Sequence, residues 1–384
     1  MNKGKYVFSQ LVYNISKYQF NCFVQKYKGH YKVKDFSCWE QFLYMMFGQL
    51  TYRESLHDII NCFSAHSSKL YHLGIKNLVV VSTLSRANQN RDWRIWLDLS
   101  TYLLEVAQSL QVSNPAFKLN ITNSIFAIDS STIDLSLSSF KWAKFRKKKG
   151  GIKLHLVLNI KSNLPVFWKI TPAKSHDVKL LDQIKFVSNA IYIMDKGYYD
   201  FERLFKINKK QAFFILRAKS NLSYHYLRSQ KSNRTKGLIC DQIIKLKGYK
   251  TKKYYPEKLR RIKYHDKEEN ITYIFLTNNF EMEALDIAKL YKYRWQIELF
   301  FKWIKQHLKI KKLWGKSENA VKTQICIAIS TYLLIAITKH QSGTQLSLYE
   351  ILQILSVSAF DKTPVNQLLM KTKSEKTETQ LIKH

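Results

Sequence analysis

The sequence predicts a mixed α/β fold, on three observations. From about Ile121 the apolar pattern shifts from helical spacing to short runs of strand character. Two of those runs close on an acid, Asp129 and Asp195. Further on, an amphipathic segment from Tyr291 to Lys305 carries a third acid, Glu298. In an open α/β sheet, sites form where strands end, so two buried runs terminating in Asp would place their carboxylates together if the strands are neighbours. Asp also follows strands simply as a turn residue, so only the pair together with the helix points to a site.

Residues 1–115 read as mostly helical. Phe42 to Phe63 carries regularly spaced apolar residues around Arg53 and Glu54, and a second helical segment, VSTLSRANQNRDWRIW, follows the loop near Gly74. Ser82 or Thr83 is its expected cap. Its polar face offers Arg86, Asn88, Gln89, Asn90, Arg91 and Arg94, side-chain types that read base edges and phosphates. A helix-turn-helix is one reading of this region and a polar surface helix the other.

The α/β region is expected over 116–340. After the run to Asp129 come IKLHLVLNI (152–160) and PVFWKIT (165–171), strands joined by a polar turn at Lys161 to Asn163. Between the first two lies KFRKKKGG, Lys144 to Gly151, a basic loop whose Arg146, Lys147 and Lys148 suit a phosphate backbone. Lys174, His176 and Asp177 follow the third strand and carry no assigned role. Helical character is expected from Val178 to Val187, then the strand to Asp195. The stretch before Glu298, about 206–280, is longer than one crossover needs and reads as a β-rich insertion. An apolar helix near Ile325 to Ile337 is expected to pack on the sheet. Residues 341–384 read as a last short helix, Leu346 to Leu355, and a polar tail after Lys371.

Nothing in YKYRWQIELFFKWIK, Tyr291 to Lys305, obviously breaks a helix. At roughly 100° per residue, Tyr291, Arg294, Glu298 and Lys305 fall within about 60° of one another, while Ile297, Phe300, Phe301, Ile304 and Leu308 form an apolar arc. One carboxylate among cations suits a metal-dependent phosphodiester site, the acid holding an ion and the cations the phosphates. The same charges also keep an amphipathic helix in water, Glu298 and Lys302 making an ordinary i, i+4 pair. Trp295 and Trp303 flank the stripe, placed either to stack on a base or to pack in the core.

Composition narrows the partner. Lys and Arg total 63 against 28 Asp and Glu, a net charge of +35, interleaved with 14% aromatic residues. Such a chain matches a long phosphate backbone better than a small neutral or acidic substrate. The Ile325 to Ile337 run is shorter than the roughly 20 residues a bilayer crossing needs, and MNKGKYVFSQ lacks a signal-peptide apolar core, so no membrane role and a cytoplasmic, nucleoid-associated location are expected. Five cysteines without CxxC spacing read as reduced core residues.

On these residues the chain resembles the DDE-type transposases of the insertion sequence four family. That family's Tyr-x2-Arg-x3-Glu-x6-Lys signature is matched at Tyr291, Arg294, Glu298 and Lys305. Asp195 with Gly197 and Tyr198 is similar to its D-x-G-Y segment, and Asp129 to its first acid. The resemblance covers about 120–340 and implies a ribonuclease H-like mixed sheet flanked by helices, interrupted by a β-rich insertion before the catalytic Glu. Residues 1 to about 75 resemble an amino-terminal domain found on one branch of the family. It further implies that Asp129, Asp195 and Glu298 hold two Mg²⁺ ions, with Mn²⁺ as a substitute. They would cut double-stranded DNA at the terminal inverted repeats of an insertion sequence and join the 3′ ends to target DNA, in a homodimeric synaptic complex. Tyr291, Arg294 and Lys305 would grip phosphates and a displaced nucleotide. The alternatives are a catalytically silent, transposase-derived repressor, a tyrosine recombinase using Tyr291, and a basic nucleoid protein.

Overall fold

The computed structural model describes residues 4–110, 112, 114–146, 149–230 and 234–370. The chain opens with helices α1 (Val7–Leu11), α2 (Lys17–Lys26), α3 (Cys38–Leu50), α4 (Leu56–Ala65), α5 (Leu70–Leu73), α6 (Val81–Asn90) and α7 (Arg94–Ser109). The expected Phe42–Phe63 helix is two helices. Ser37 and Glu40 cap α3 reciprocally and Ser55 and Asp58 cap α4, so the chain restarts after a turn in which Tyr52 takes a left-handed φ of 57°. Each such cap satisfies amide groups that a bare helix end leaves open, worth about 1 kcal/mol. The second segment is likewise two helices, α6 and α7. Neither Ser82 nor Thr83 is the cap: the N-cap position is Val80, without a side-chain bond, and both hydroxyl residues lie inside α6.

Strands β1 (Ile125–Leu135), β2 (Lys144–Arg146), β3 (Lys149–Asn159), β4 (Leu164–Pro172), β5 (Ile191–Met194), β6 (Phe213–Arg217), β7 (Tyr224–Ser229), β8 (Leu238–Leu246), β9 (Leu259–Asp266) and β10 (Ile271–Thr277) follow. Helices α8 (Phe201–Lys209), α9 (Tyr249–Tyr254), α10 (Ala284–Lys292), α11 (Trp295–His307), α12 (Glu318–Ser342) and α13 (Leu348–Val357) complete the elements used below. The strands form one mixed sheet in the order β2-β3-β1-β5-β6-β10-β9-β8-β7, with β4 also on β3. Its centre, β1-β5-β6, is parallel and the remaining pairs are antiparallel. Ile128, Met194, Leu204, Ile207, Phe214 and Leu216 are buried in its core, each apolar side chain contributing about 1.5–3 kcal/mol by leaving water.

Four expectations are corrected here. Asp129 does not close its strand: β1 runs on to Leu135 because β3 pairs with it from Phe126 through Leu135. The basic stretch from Lys144 is not wholly a loop, since β2 and β3 pair as a hairpin; Lys147 and Lys148 lie outside the described residues, as does the tail after Lys371. The Val178–Val187 segment forms only a 3₁₀ turn over Asp177–Asp182. The Tyr291–Lys305 helix is broken. At the break the amides of Tyr293, Arg294, Gln296 and Ile297 bond carbonyls three residues back instead of four, a tighter 3₁₀ winding. Tertiary bonds favour it: the Lys118 amide donates to the Tyr293 hydroxyl (3.1 Å), and the Tyr293 ring packs on Phe117 with centroids 5.0 Å apart.

Two compact units result. The sheet unit comprises Ser113–Leu135 and Lys144–Phe301, and the helical unit Met1–Val112, Ser136–Ala143 and Lys302–His384. The expectation that the late apolar helix packs on the sheet is also corrected, because α12 is the central helix of the helical unit, packed by α7, α3, α6 and α13. With 25 residues it is long and apolar enough to cross a membrane, and 94% of its most apolar window is buried within the protein. The Ser330, Thr331 and Thr338 hydroxyls bond carbonyls one turn back, so this all-round apolar helix buries few bare polar groups.

One buried ion pair fixes the approach to the site. Arg260 on β9 and Asp241 on β8 are both almost wholly buried and meet bidentately at 2.9 and 2.7 Å; the same guanidinium donates to the carbonyls of Asn279 (3.2 Å) and Met282 (2.6 Å). The strands of the insertion thereby hold the loop from β10 to α10. Asp241→Ala strands a buried guanidinium and should cost about 3–5 kcal/mol, read as a lower denaturant midpoint with an unchanged m-value.

Candidate functional site

The sheet register assembles the site. The parallel pairing of β1 and β5 ends at Ile128 opposite Met194, so Asp129 and Asp195 stand on neighbouring strands one residue beyond the last rung. Asp195 then caps the 3₁₀ turn Lys196–Tyr198, with Oδ1 accepting the Gly197 amide at 2.7 Å. A Cβ on Gly197 would lie 2.9 Å from that oxygen. Glycine is what lets the backbone close on the carboxylate.

Glu298 comes from the first turn of α11, and Arg294 from the break before it. Arg294 donates to Glu298 Oε1 and to Asp129 Oδ2 at 3.3 Å. The Glu298–Lys302 pair expected from spacing is thus replaced by Glu298–Arg294. Asp129 Oδ1 accepts the Ser130 amide at 2.8 Å. Burial pushes the Asp129 carboxyl up to about 6; the Ser130 bond and the Arg294 charge oppose the rise, and the negative charges of Asp195 and Glu298 add to it. The three acids therefore share one field.

Among the described residues no three His, Cys, Asp or Glu side chains already converge as a metal cage. The donor set nevertheless suits a hard divalent cation, with carboxylate oxygens only. A guanidinium between Asp129 and Glu298 holds positive charge where such a cation would be held. The Arg294 Nε is buried and has no acceptor among the described residues, leaving a donor that a phosphate oxygen would satisfy.

Tyr291, at the end of α10, is buried against Phe275, centroids 4.8 Å apart, and burial foremost raises its hydroxyl pKa. Trp295 opens α11 and is 58% exposed. Tyr264, Tyr273, Phe275, Tyr291, Arg294 and Trp295 line a cavity of about 270 Å³ within the sheet unit. The sequence reading missed the first three, because they lie in the insertion and only folding brings them to the signature residues. Lys305 is half-buried farther along α11. Trp303 packs edge-on to Tyr332 at 5.2 Å, a core role.

In the helical unit Arg86 is exposed in a cleft of about 1030 Å³, which Lys28, Tyr31, Lys32 and Lys34 also line. Arg91 is different. It donates to the carbonyls of Ser37 (2.9 Å) and Phe36 and to Gln41 Oε1 (2.9 Å), so its guanidinium is spent on holding α6 to α3. Asn88 is buried and accepts from Gln41, which removes it from any base-reading face. Arg146 lies on β2.

A family model described as "Transposase DDE domain" matches residues 121–334, and one for a domain of unknown function matches residues 3–76. Transposase y4zB of Sinorhizobium fredii is 33% identical over 242 residues, 62% of this chain and 67% of that one. The transposase for insertion sequence element IS5377 of Geobacillus stearothermophilus is 29% identical over 57% of this chain and 59% of its own. That for element IS4SA of Synechocystis is 27% identical over 72% and 77%. Among solved structures, the piggyBac transposase synaptic complex with hairpin DNA aligns at a TM-score of 0.45 and 12% identity, over 97% of this chain and 78% of that one.

Burial of Asp129 gives the metal-free site a measurable pH dependence. Its folded pKa lies above the unfolded value of about 3.9, so stability is fully retained below pH 4 and is lost as pH rises through about 6. Asp129→Asn cannot ionise. In chelator it should match the native chain at pH 4 and exceed it by up to about 3 kcal/mol at pH 7.5, measured by denaturant unfolding at both pH values.

Proposed function

The chain belongs to the DDE-domain transposases, and we propose that it cuts DNA at the terminal inverted repeats of its insertion sequence and joins the 3′ ends to target DNA. The observation that carries this reading is the meeting of Asp129, at the end of the parallel β1–β5 register, with Glu298 through a single Arg294 guanidinium. The same placement supports a ribonuclease H-like sheet with an insertion over about 206–280. Asp129, Asp195 and Glu298 would hold two Mg²⁺ ions, with Mn²⁺ as a substitute. Such ions polarise a phosphoryl oxygen and activate the attacking water or 3′-hydroxyl.

This chain's own residues do the rest. Arg294 contacts both Asp129 and Glu298, and its Nε, without an acceptor among the described residues, gives it a donor for a phosphate at the same time. Were the acids to hold cations, the Arg294 guanidinium would be available to the scissile backbone, with Lys305 and Tyr291 as further backbone contacts. The cavity bounded by Tyr273, Phe275 and Trp295 offers aromatic faces to a base turned out of the helix. Unstacking costs a few kcal/mol, and stacking on an aromatic returns about 1–3 kcal/mol per base. Arg86 with Lys28, Lys32 and Lys34 in the helical unit's cleft, and the basic residues Arg146, Lys147 and Lys148, would hold duplex away from the cut. Residues 1–115 form the DNA-binding region in this reading. Two ends must be cut and joined together, so the active species is a homodimer on DNA, in the bacterial cytoplasm.

The test uses purified protein, a labelled duplex carrying the element's terminal repeat, and Mg²⁺ or EDTA. Native protein should nick at the repeat tip only with metal. Asp129→Ala, Asp195→Ala and Glu298→Ala should each lower the rate by at least about 10³-fold while retaining binding. Trp295→Ala should slow the fully paired duplex more than one already unpaired at the tip. Binding without cleavage in any metal would turn the assignment to a silent repressor.

A further inference from the structure

Asp177, which the sequence left without a role, is brought by the fold to the first acid. Its Oδ1 accepts the Ser130 hydroxyl at 2.6 Å and the Lys153 ammonium at 2.9 Å. Lys153 also donates to the Ser175 carbonyl at 3.0 Å, which ties the ammonium to the segment that carries Asp177. Ser130 is the link. Its hydroxyl is bound to Asp177 while its amide is bound to Asp129 Oδ1. Three elements thus converge on the Asp177 carboxylate: β1 supplies Ser130, β3 supplies Lys153, and the 3₁₀ turn after β4 supplies Asp177 itself.

We propose that Asp177, fixed by Lys153, is a positioning residue that sets the Asp129 carboxylate through Ser130 for cation binding. The inference rests on the transposase reading for what the bound cation does, and not for the geometry. Ser130 sits in β1 where the antiparallel pairing with β3 continues and the parallel pairing with β5 has stopped. One side of that strand segment has therefore lost its backbone ladder. The Ser130–Asp177 bond supplies a side-chain anchor there, leaving Oδ2 of Asp129 for Arg294 or a cation.

The surrounding groups bear out the choice of Lys153 as the fixing charge. His155, on the same strand, places Nδ1 3.8 Å from Asp177 Oδ1, while its Nε2 meets the Thr171 hydroxyl at 2.9 Å. Burial foremost lowers His155 to about 4, so it is neutral near pH 7 and does not balance Asp177. Burial raises the Asp177 carboxyl, and the bonds from Ser130 and Lys153 outweigh that and hold it below the usual range. Tyr198 lies buried close by, its hydroxyl pKa raised by burial and then by the charges of Asp129, Asp177 and Asp195. Partners that orient metal ligands without touching the metal typically matter tenfold to a hundredfold in affinity.

The experiment measures Mn²⁺ affinity by electron paramagnetic resonance on the full chain, Mn²⁺ being the only added ligand, for native protein, Asp177→Ala, Asp177→Asn and Ser130→Ala. Metal-free melting temperature is recorded alongside, and half-saturating Mn²⁺ for cleavage of the terminal-repeat duplex is a second readout. Asp177→Ala and Ser130→Ala should each weaken Mn²⁺ binding about tenfold. Half-saturating Mn²⁺ for cleavage should rise by the same factor, with most of the rate restored at saturation. Asp177→Asn keeps an acceptor for Ser130 and should recover part of the loss. Ser130→Ala removes one oxygen and keeps the fold testable if Asp177→Ala unfolds. Native Mn²⁺ affinity in Ser130→Ala would overturn the relay, and a changed melting temperature with native affinity in all three would reduce Asp177 to a structural role. Weakened Mn²⁺ binding in a protein whose native form cuts no DNA would support the positioning and refute the transposase reading.

Discussion

Burial of one carboxylate beside two others is the constraint on which this structure turns. Asp129 is raised to about 6 by burial, with Asp195 and Glu298 adding to the shift, and gathering such groups without positive charge costs free energy. The fold meets that cost with Arg294, whose bonds to Asp129 and Glu298 bridge a central strand and a helix far apart in sequence. Because Arg294 stands where the proposed cation would be held, cation entry would displace its guanidinium, whose hydrogen bonds a phosphate could then accept.

The rest of the sheet unit serves that junction. The β1–β5 register sets two acids side by side, Gly197 allows the backbone to wrap the second, and the Arg260–Asp241 pair holds the loop that leads to α10. The 3₁₀ winding at Tyr293 and Arg294 aims Arg294 at the acids instead of along a continuous helical stripe. At this break the tightened turn accommodates Tyr291 packed on Phe275 together with Arg294 bonded to Asp129.

Much of this was legible in the sequence. Asp129 and Asp195 were singled out because runs of strand character each reach an acid, and the fold puts them on neighbouring strands; the apolar arc from Ile297 to Leu308 is buried as the helical spacing requires. What failed did so for identifiable reasons. Periodicity cannot show a 3₁₀ turn imposed by Lys118 and Phe117, so the helix was read through its break. It cannot show that β3 continues to pair with β1 beyond Asp129, so the strand was read as too short. Arg91 and Asn88 looked like a reading face because exposure is invisible in a polar run; both are used to bind α6 to α3. Asp177 and Ser130 meet only through strand pairing, and the aromatic cavity draws on an insertion whose placement no local pattern gives.

The most direct test of the central claim counts bound Mn²⁺ on the protein held on its terminal-repeat duplex, in the native chain and in Asp129→Ala, Asp195→Ala and Glu298→Ala separately. Bound Mn²⁺ in the native complex that falls in each variant, with DNA affinity retained, is the predicted result. An unchanged Mn²⁺ count in all three would contradict it and place any metal elsewhere.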